Sequence, residues 1–127
     1  MMDRGFLALY ALLFLAFGVF AFWNPNWAMN LLGASNMSSE GVYELRSNYG
    51  GVSFGIGLMC LASVFRSELT RPALFVLMAY MGGYSIGRLA AMPIDGVPST
   101  TMIAYASFEI VSAVLAFALL RRAVQSR

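Results

Sequence analysis

The chain has no histidine and no lysine, and its only cysteine is Cys60. Without histidine there is no imidazole for acid–base chemistry near neutral pH, and no His-ligated zinc or haem. One cysteine closes no intrachain disulfide and builds no thiolate cluster, so the redox compartment stays undetermined; inside an apolar segment Cys60 reads as a small buried hydrophobe. No Walker loop, zinc-protease motif or nucleophile elbow occurs, and no cofactor is expected. Charge is scarce as well: 11% of the 127 residues, with a formal net charge of +2. That is too little polar material to cover a soluble globule, and no basic patch interleaved with aromatics points to nucleic acid.

What the chain has instead is hydrophobic residues, 60% of the total, arranged in blocks. Runs of about twenty apolar residues are what a helix needs to cross roughly 30 Å of hydrocarbon. Four such segments stand out at 5–23, 44–65, 72–92 and 102–120, the second fully apolar only from about Arg46. Stretches such as LALYALLFLAFGVFAFW lack the polar stripe of a soluble bundle helix. The expected fold is therefore all-α: a single integral membrane domain, a four-helix bundle spanning 1–127. The first run exceeds a signal-peptide core of about 7 to 15 residues, and Val19-Phe20-Ala21 is hemmed in by bulky aromatics. It reads as a retained membrane helix.

Local chemistry marks the helix ends. Asn24-Pro25-Asn26 closes the first segment, with Trp23 and Trp27 where aromatics favour the headgroup region. The following loop is long enough for a short surface helix, and Ser38-Ser39-Glu40-Gly41 looks like a helix start ahead of the second apolar run. Arg71-Pro72 opens the third segment, Pro93 is expected to end it, and Ile94 to Ser99 forms a turn-rich connection. Four alternating crossings would put Arg4, Arg66, Arg71, Arg121, Arg122 and Arg127 on one side, and no basic loop residue on the other. The positive-inside rule then makes both termini cytoplasmic.

The second and third segments share a pattern: Gly50-Gly51-Val52-Ser53-Phe54-Gly55 and Gly82-Gly83-Tyr84-Ser85-Ile86-Gly87. Small residues four apart let helix backbones approach closely in lipid. Gly50, Gly51, Gly55, Gly83 and Gly87 are accordingly candidate packing positions for a tight pair formed by these two helices. The bland alternative is the ordinary abundance of glycine in membrane helices.

Ionisable residues within such segments are costly and must pair, face the bundle interior or reach the interface. Arg88 lies one turn before Pro93, Glu109 two turns into the last segment, and Glu44, Arg46 and Asp95 fall toward the same side. With Tyr49 they make a candidate polar site, in which Arg88 or Arg46 is the natural partner of Glu109, either receiving a ligand head group or, as a structural ion pair, only fixing helix register. Tyr105 shares a helix face with Glu109.

Glu44-Leu45-Arg46-Ser47-Asn48-Tyr49-Gly50-Gly51, Gly87-Arg88-Leu89 with Asp95-Gly96, and Glu109 also resemble a bacterial family of small four-helix membrane proteins, domain-of-unknown-function family 4345. The resemblance implies a membrane fold and no established substrate, cofactor or reaction. Three function classes remain open. The leading expectation is an outer-leaflet polar pocket that binds or helps move a small amphiphile, where transport by so small a domain would need an oligomer. The alternatives are an accessory or assembly subunit packed against a membrane-protein partner, and a small enzyme using the Glu/Arg pair. Membrane lipids are partners in every case.

Overall fold

The computed structural model of the protein describes residues 2–34 and 36–125. Arg127, counted above among the basic flanks, lies outside the described residues. The helices are α1 (Met2–Trp23), α2 (Pro25–Leu31), α3 (Ser39–Leu45), a π-helical stretch at Arg46–Gly51, α4 (Val52–Phe65), a 3-10 turn at Ser67–Leu69, α5 (Thr70–Asp95) and α6 (Thr100–Gln125). No strand occurs among the described residues. Four continuous helical stretches are long and apolar enough to cross a membrane: Met2–Trp23, Ser39–Phe65, Ser67–Asp95 and Thr100–Ala123. The protein is thus an all-helical chain with the composition of a multi-pass membrane protein. It divides into two compact units, Met1–Thr70 and Arg71–Arg127.

In the first unit, α1 buries Leu7, Tyr10, Ala11, Phe14, Gly18 and Ala21 at helical spacing, while Leu9, Leu12, Phe20 and Phe22 on its other faces are exposed. Apolar residues all round suit a lipid-facing helix. As α1 runs back from Phe22 through Gly18 to Leu15, its partner advances from Gly50 through Phe54 to Gly57, so the two are antiparallel. Three glycines make the crossing tight. A Cβ at Gly18 would stand 2.7 Å from the Phe54 amide nitrogen and 2.9 Å from the Gly50 carbonyl oxygen. One at Gly50 would stand 2.9 Å from Phe22 Cβ, and one at Gly57 would stand 2.8 Å from Leu15 Cγ. Close backbone approach of this kind is how helices associate where hydrophobicity gives no drive.

The segment after α1 folds over that seam. Asn24 Oδ1 accepts from the Trp27 amide and Pro25 occupies the first turn, so α2 starts at once. Ser38 Oγ accepts from the Gly41 amide, starting the next helix ahead of its apolar part. Ala28 and Met29 of α2 then bury against Ala21 and Leu45, with Phe17, Leu32, Val42 and Tyr49 around them.

The π turn at Arg46–Gly51 widens the helix: the Val52 amide bonds to the Ser47 carbonyl, five residues back. A neighbouring hydroxyl is affected. Ser63, Ser85, Ser107 and Ser112 each donate to a carbonyl three or four residues earlier. Ser53, whose equivalent carbonyls belong to the widened turn, is buried with no partner.

In the second unit α5 and α6 form an antiparallel hairpin, with Arg88 meeting Glu109 and a Cβ at Gly82 coming 3.9 Å from Ala113 Cβ. Pro93 does not end α5, as the sequence reading expected; the helix runs on to Asp95 with Pro93 inside it. Proline removes its own donor, and so close to the end only one intrahelical bond is lost. Termination falls instead at Gly96, which takes φ +88° and donates its amide to the Met92 carbonyl.

Candidate functional site

The α5–α6 hairpin carries the only ion pair among the described residues. Arg88 Nε donates to Glu109 Oε2 at 2.8 Å and Arg88 Nη2 to Glu109 Oε1 at 2.9 Å. This is the two-point fork that guanidinium and carboxylate geometry favours. Arg88 stands seven residues from the end of α5, about 10 Å along its axis. Glu109 is nine residues into α6, about 14 Å from its start. Both therefore sit within apolar spans, where an unpaired charge costs on the order of 3 kcal/mol. The carboxylate is the more enclosed of the two, with 11% of its side chain exposed against 26% for Arg88.

Around the pair the residues are soft or aromatic. Arg88 Nη1 lies 3.7 Å from the thioether of Met102, a weak acceptor. The Arg88 guanidinium is 6.0 Å from the Tyr84 ring centre, at the outer limit for a cation–π contact. Tyr84 in turn meets Tyr80 edge-on, centroids 4.9 Å apart and hydroxyl oxygens 3.5 Å apart. Tyr80, Tyr84 and Arg88 thus form a ladder of four-residue steps along α5. Tyr105 is half-buried one turn from Glu109. Met102 and Tyr80 were missed in the sequence, although the four-residue spacing that places Tyr80 was visible there.

Of the other candidates, only Asp95 belongs to the same unit as this pair. Asp95 is exposed at the end of α5 and makes no ion pair among the described residues. Glu44, Arg46 and Tyr49 belong to the first unit. Glu44 is exposed and accepts from Asn48 Nδ2 at 2.9 Å, Arg46 is exposed in the π turn, and Tyr49 packs on the apolar cluster beside α2. The partner of Glu109 is therefore Arg88 rather than Arg46. Among the glycines, Gly50 lies in the close seam, but it faces Phe22 of α1. A Cβ at Gly55, Gly83 or Gly87 would meet nothing within 4 Å, and one at Gly51 only the Arg46 carbonyl of its own helix, at 3.9 Å.

Chemically, both carboxylate oxygens of Glu109 are taken up by the fork. A general base must have a lone pair within reach of the proton it removes, which here requires the pair to open first. As it stands the pair fastens α5 to α6. No group of three or more His, Cys, Asp or Glu suited to a metal occurs among the described residues.

A family model described as a domain of unknown function (DUF4345) matches residues 2–120. No curated protein and no solved structure matches the chain.

Proposed function

We propose that this chain, which belongs to the DUF4345 family, is an accessory or assembly subunit of a larger complex in the bacterial inner membrane, with both termini cytoplasmic. The observation that carries this reading is a ridge of small residues on α5. Ala79, Gly83 and Gly87 follow one another at four-residue steps, all three are exposed, and a Cβ at either glycine would meet no atom within 4 Å. Glycine within a helix costs about 1 kcal/mol relative to alanine. A run of small residues with open space beside it is shaped for another helix, where close contact and lipid release supply the association energy.

Single cysteines in a Cys60→Ala background test both parts of the proposal. Gly83→Cys or Gly87→Cys, each carrying a thiol-attached benzophenone that inserts into C–H bonds on illumination, should cross-link in native membranes to a second polypeptide; photocross-links confined to α4 of the same chain would overturn it. Ser38→Cys and Ser99→Cys should label from outside and Ser67→Cys only after permeabilisation, and the reverse pattern would invert the orientation.

A second reading, that an amphiphile's acidic head group is held at Arg88, draws support from the Nη1 contact with Met102 Sδ. A phosphate or carboxylate oxygen would outcompete a thioether for that donor.

A further inference from the structure

We propose that the end of the α5–α6 hairpin remote from its connecting loop is a binding surface for an anionic phospholipid, taking the headgroup phosphate between the two helices. The hairpin register, fixed by Arg88 with Glu109 and Gly82 with Ala113, extends to the first turn of α5. There it brings Arg71 within about one helical turn of the level of Arg121 and Arg122. Each helix carries the same pair in mirror order: Arg71 with Phe75 four residues on, and Phe117 with Arg121 four residues on.

These side chains follow the seam. Phe75 lies seven residues from Gly82, two turns away on the same face, and Phe117 lies one turn from Ala113. Both rings are exposed, at 57% and 48%. The Arg121 guanidinium sits 5.8 Å from the Phe117 ring centre, which holds it over the apolar surface. Guanidinium groups at the end and aromatic rings one turn inside reproduce the order of a phospholipid, phosphate first and then acyl chain.

Charge supports this occupant. The carboxylates of the unit, Asp95 and Glu109, lie toward the opposite end, and Glu68 just ahead of it makes no ion pair among the described residues. Arg71, Arg121 and Arg122 make none either. Three cations with no ion-pair partner among the described residues, at the edge of an apolar span, would attract a lipid phosphate, and arginine matches its oxygens two at a time.

The test uses the full-length protein in nanodiscs containing phosphatidylcholine and phosphatidylglycerol in equal amounts, with native mass spectrometry of the lipids retained. Phosphatidylglycerol should be retained preferentially, and Arg71→Gln or Arg121→Gln should each lower that preference about fivefold. Arg4→Gln, at the start of α1, should leave it unchanged. Equal retention of the two lipids would overturn the proposal, as would an equal loss with Arg4→Gln, which would mark a general charge effect. Inorganic phosphate added in neutral detergent should not raise the melting temperature; stabilisation equal to that by phosphatidylglycerol would assign the surface to free anions instead. If the variants fail to fold, the unaltered protein gives the answer. Its preference should vanish between about 0.05 M and about 0.5 M ionic strength, and persistence across that range would overturn the proposal.

Discussion

Breaking the Arg88–Glu109 fork from each side should give unequal losses. In Arg88→Leu the Glu109 carboxylate, 11% exposed, loses its sole partner among the described residues, and α6 offers it about 14 Å of helix before the connecting loop. Its short side chain cannot bridge that depth, so the variant should lose about 3 kcal/mol, the lower end for a severed buried pair. In Glu109→Leu the remaining guanidinium is 26% exposed and about 10 Å from the end of α5, a shallower depth that the longer arginine side chain covers in part. That variant should lose only about 2 kcal/mol. The double replacement swaps a desolvated pair for two apolar side chains and should fall within about 1 kcal/mol of the parent. The coupling is then roughly −5 kcal/mol, far from additivity. Reversible unfolding by dodecyl sulfate titration from mixed micelles, followed by far-ultraviolet circular dichroism, reads all four corners of the cycle. Additive effects within about 0.5 kcal/mol would refute the fastening role of the pair. A larger loss for Glu109→Leu than for Arg88→Leu would refute the depth argument.

Gly18→Ala should lower the melting temperature in detergent, because its Cβ would press on backbone atoms at 2.7 and 2.9 Å, while Gly55→Ala, with open space at the same atom, should be neutral or slightly stabilising. Equal effects at the two sites would contradict the close α1–α4 seam. Deleting Gly51 should leave a folded protein, since taking one residue from a π turn restores an α-helix and lets Ser53 reach a carbonyl as Ser63, Ser85, Ser107 and Ser112 do. Deleting Leu58 from α4 should abolish folding by rotating half the helix about 100°. Comparable folded yields for the two deletions on gel filtration would count against the π turn.

Which features were legible in the sequence follows from which groups had a choice of solution. Four apolar blocks can satisfy their backbone in lipid only as helices, so the spans were readable from length and composition. Arg88 and Glu109 were readable for a similar reason: inside an apolar span a charge has few ways to avoid its penalty, and one residue of each sign was available. Glu44 and Arg46 had alternatives. At the start of a span they remain exposed, and Glu44 finds an amide on its own helix, so nothing forces them into a common site. The glycines show the opposite limit. Gly50, Gly51, Gly55, Gly83 and Gly87 were picked by a pattern within each helix, but closeness is a property of two helices and depends on rotations that spacing does not encode. Gly18, alone in its helix interior and part of no repeat, makes the tightest approach. The π turn was hidden for a related reason, since one extra residue shifts the apolar periodicity by less than the scatter of a helix apolar on every face. A glycine in such a helix is therefore better judged by what its missing Cβ would strike than by the motif it completes. By that measure Gly18, Gly50 and Gly57 build the seam of the first unit, whereas Gly83 and Gly87, where a Cβ would meet nothing within 4 Å, take no part in holding the second unit together.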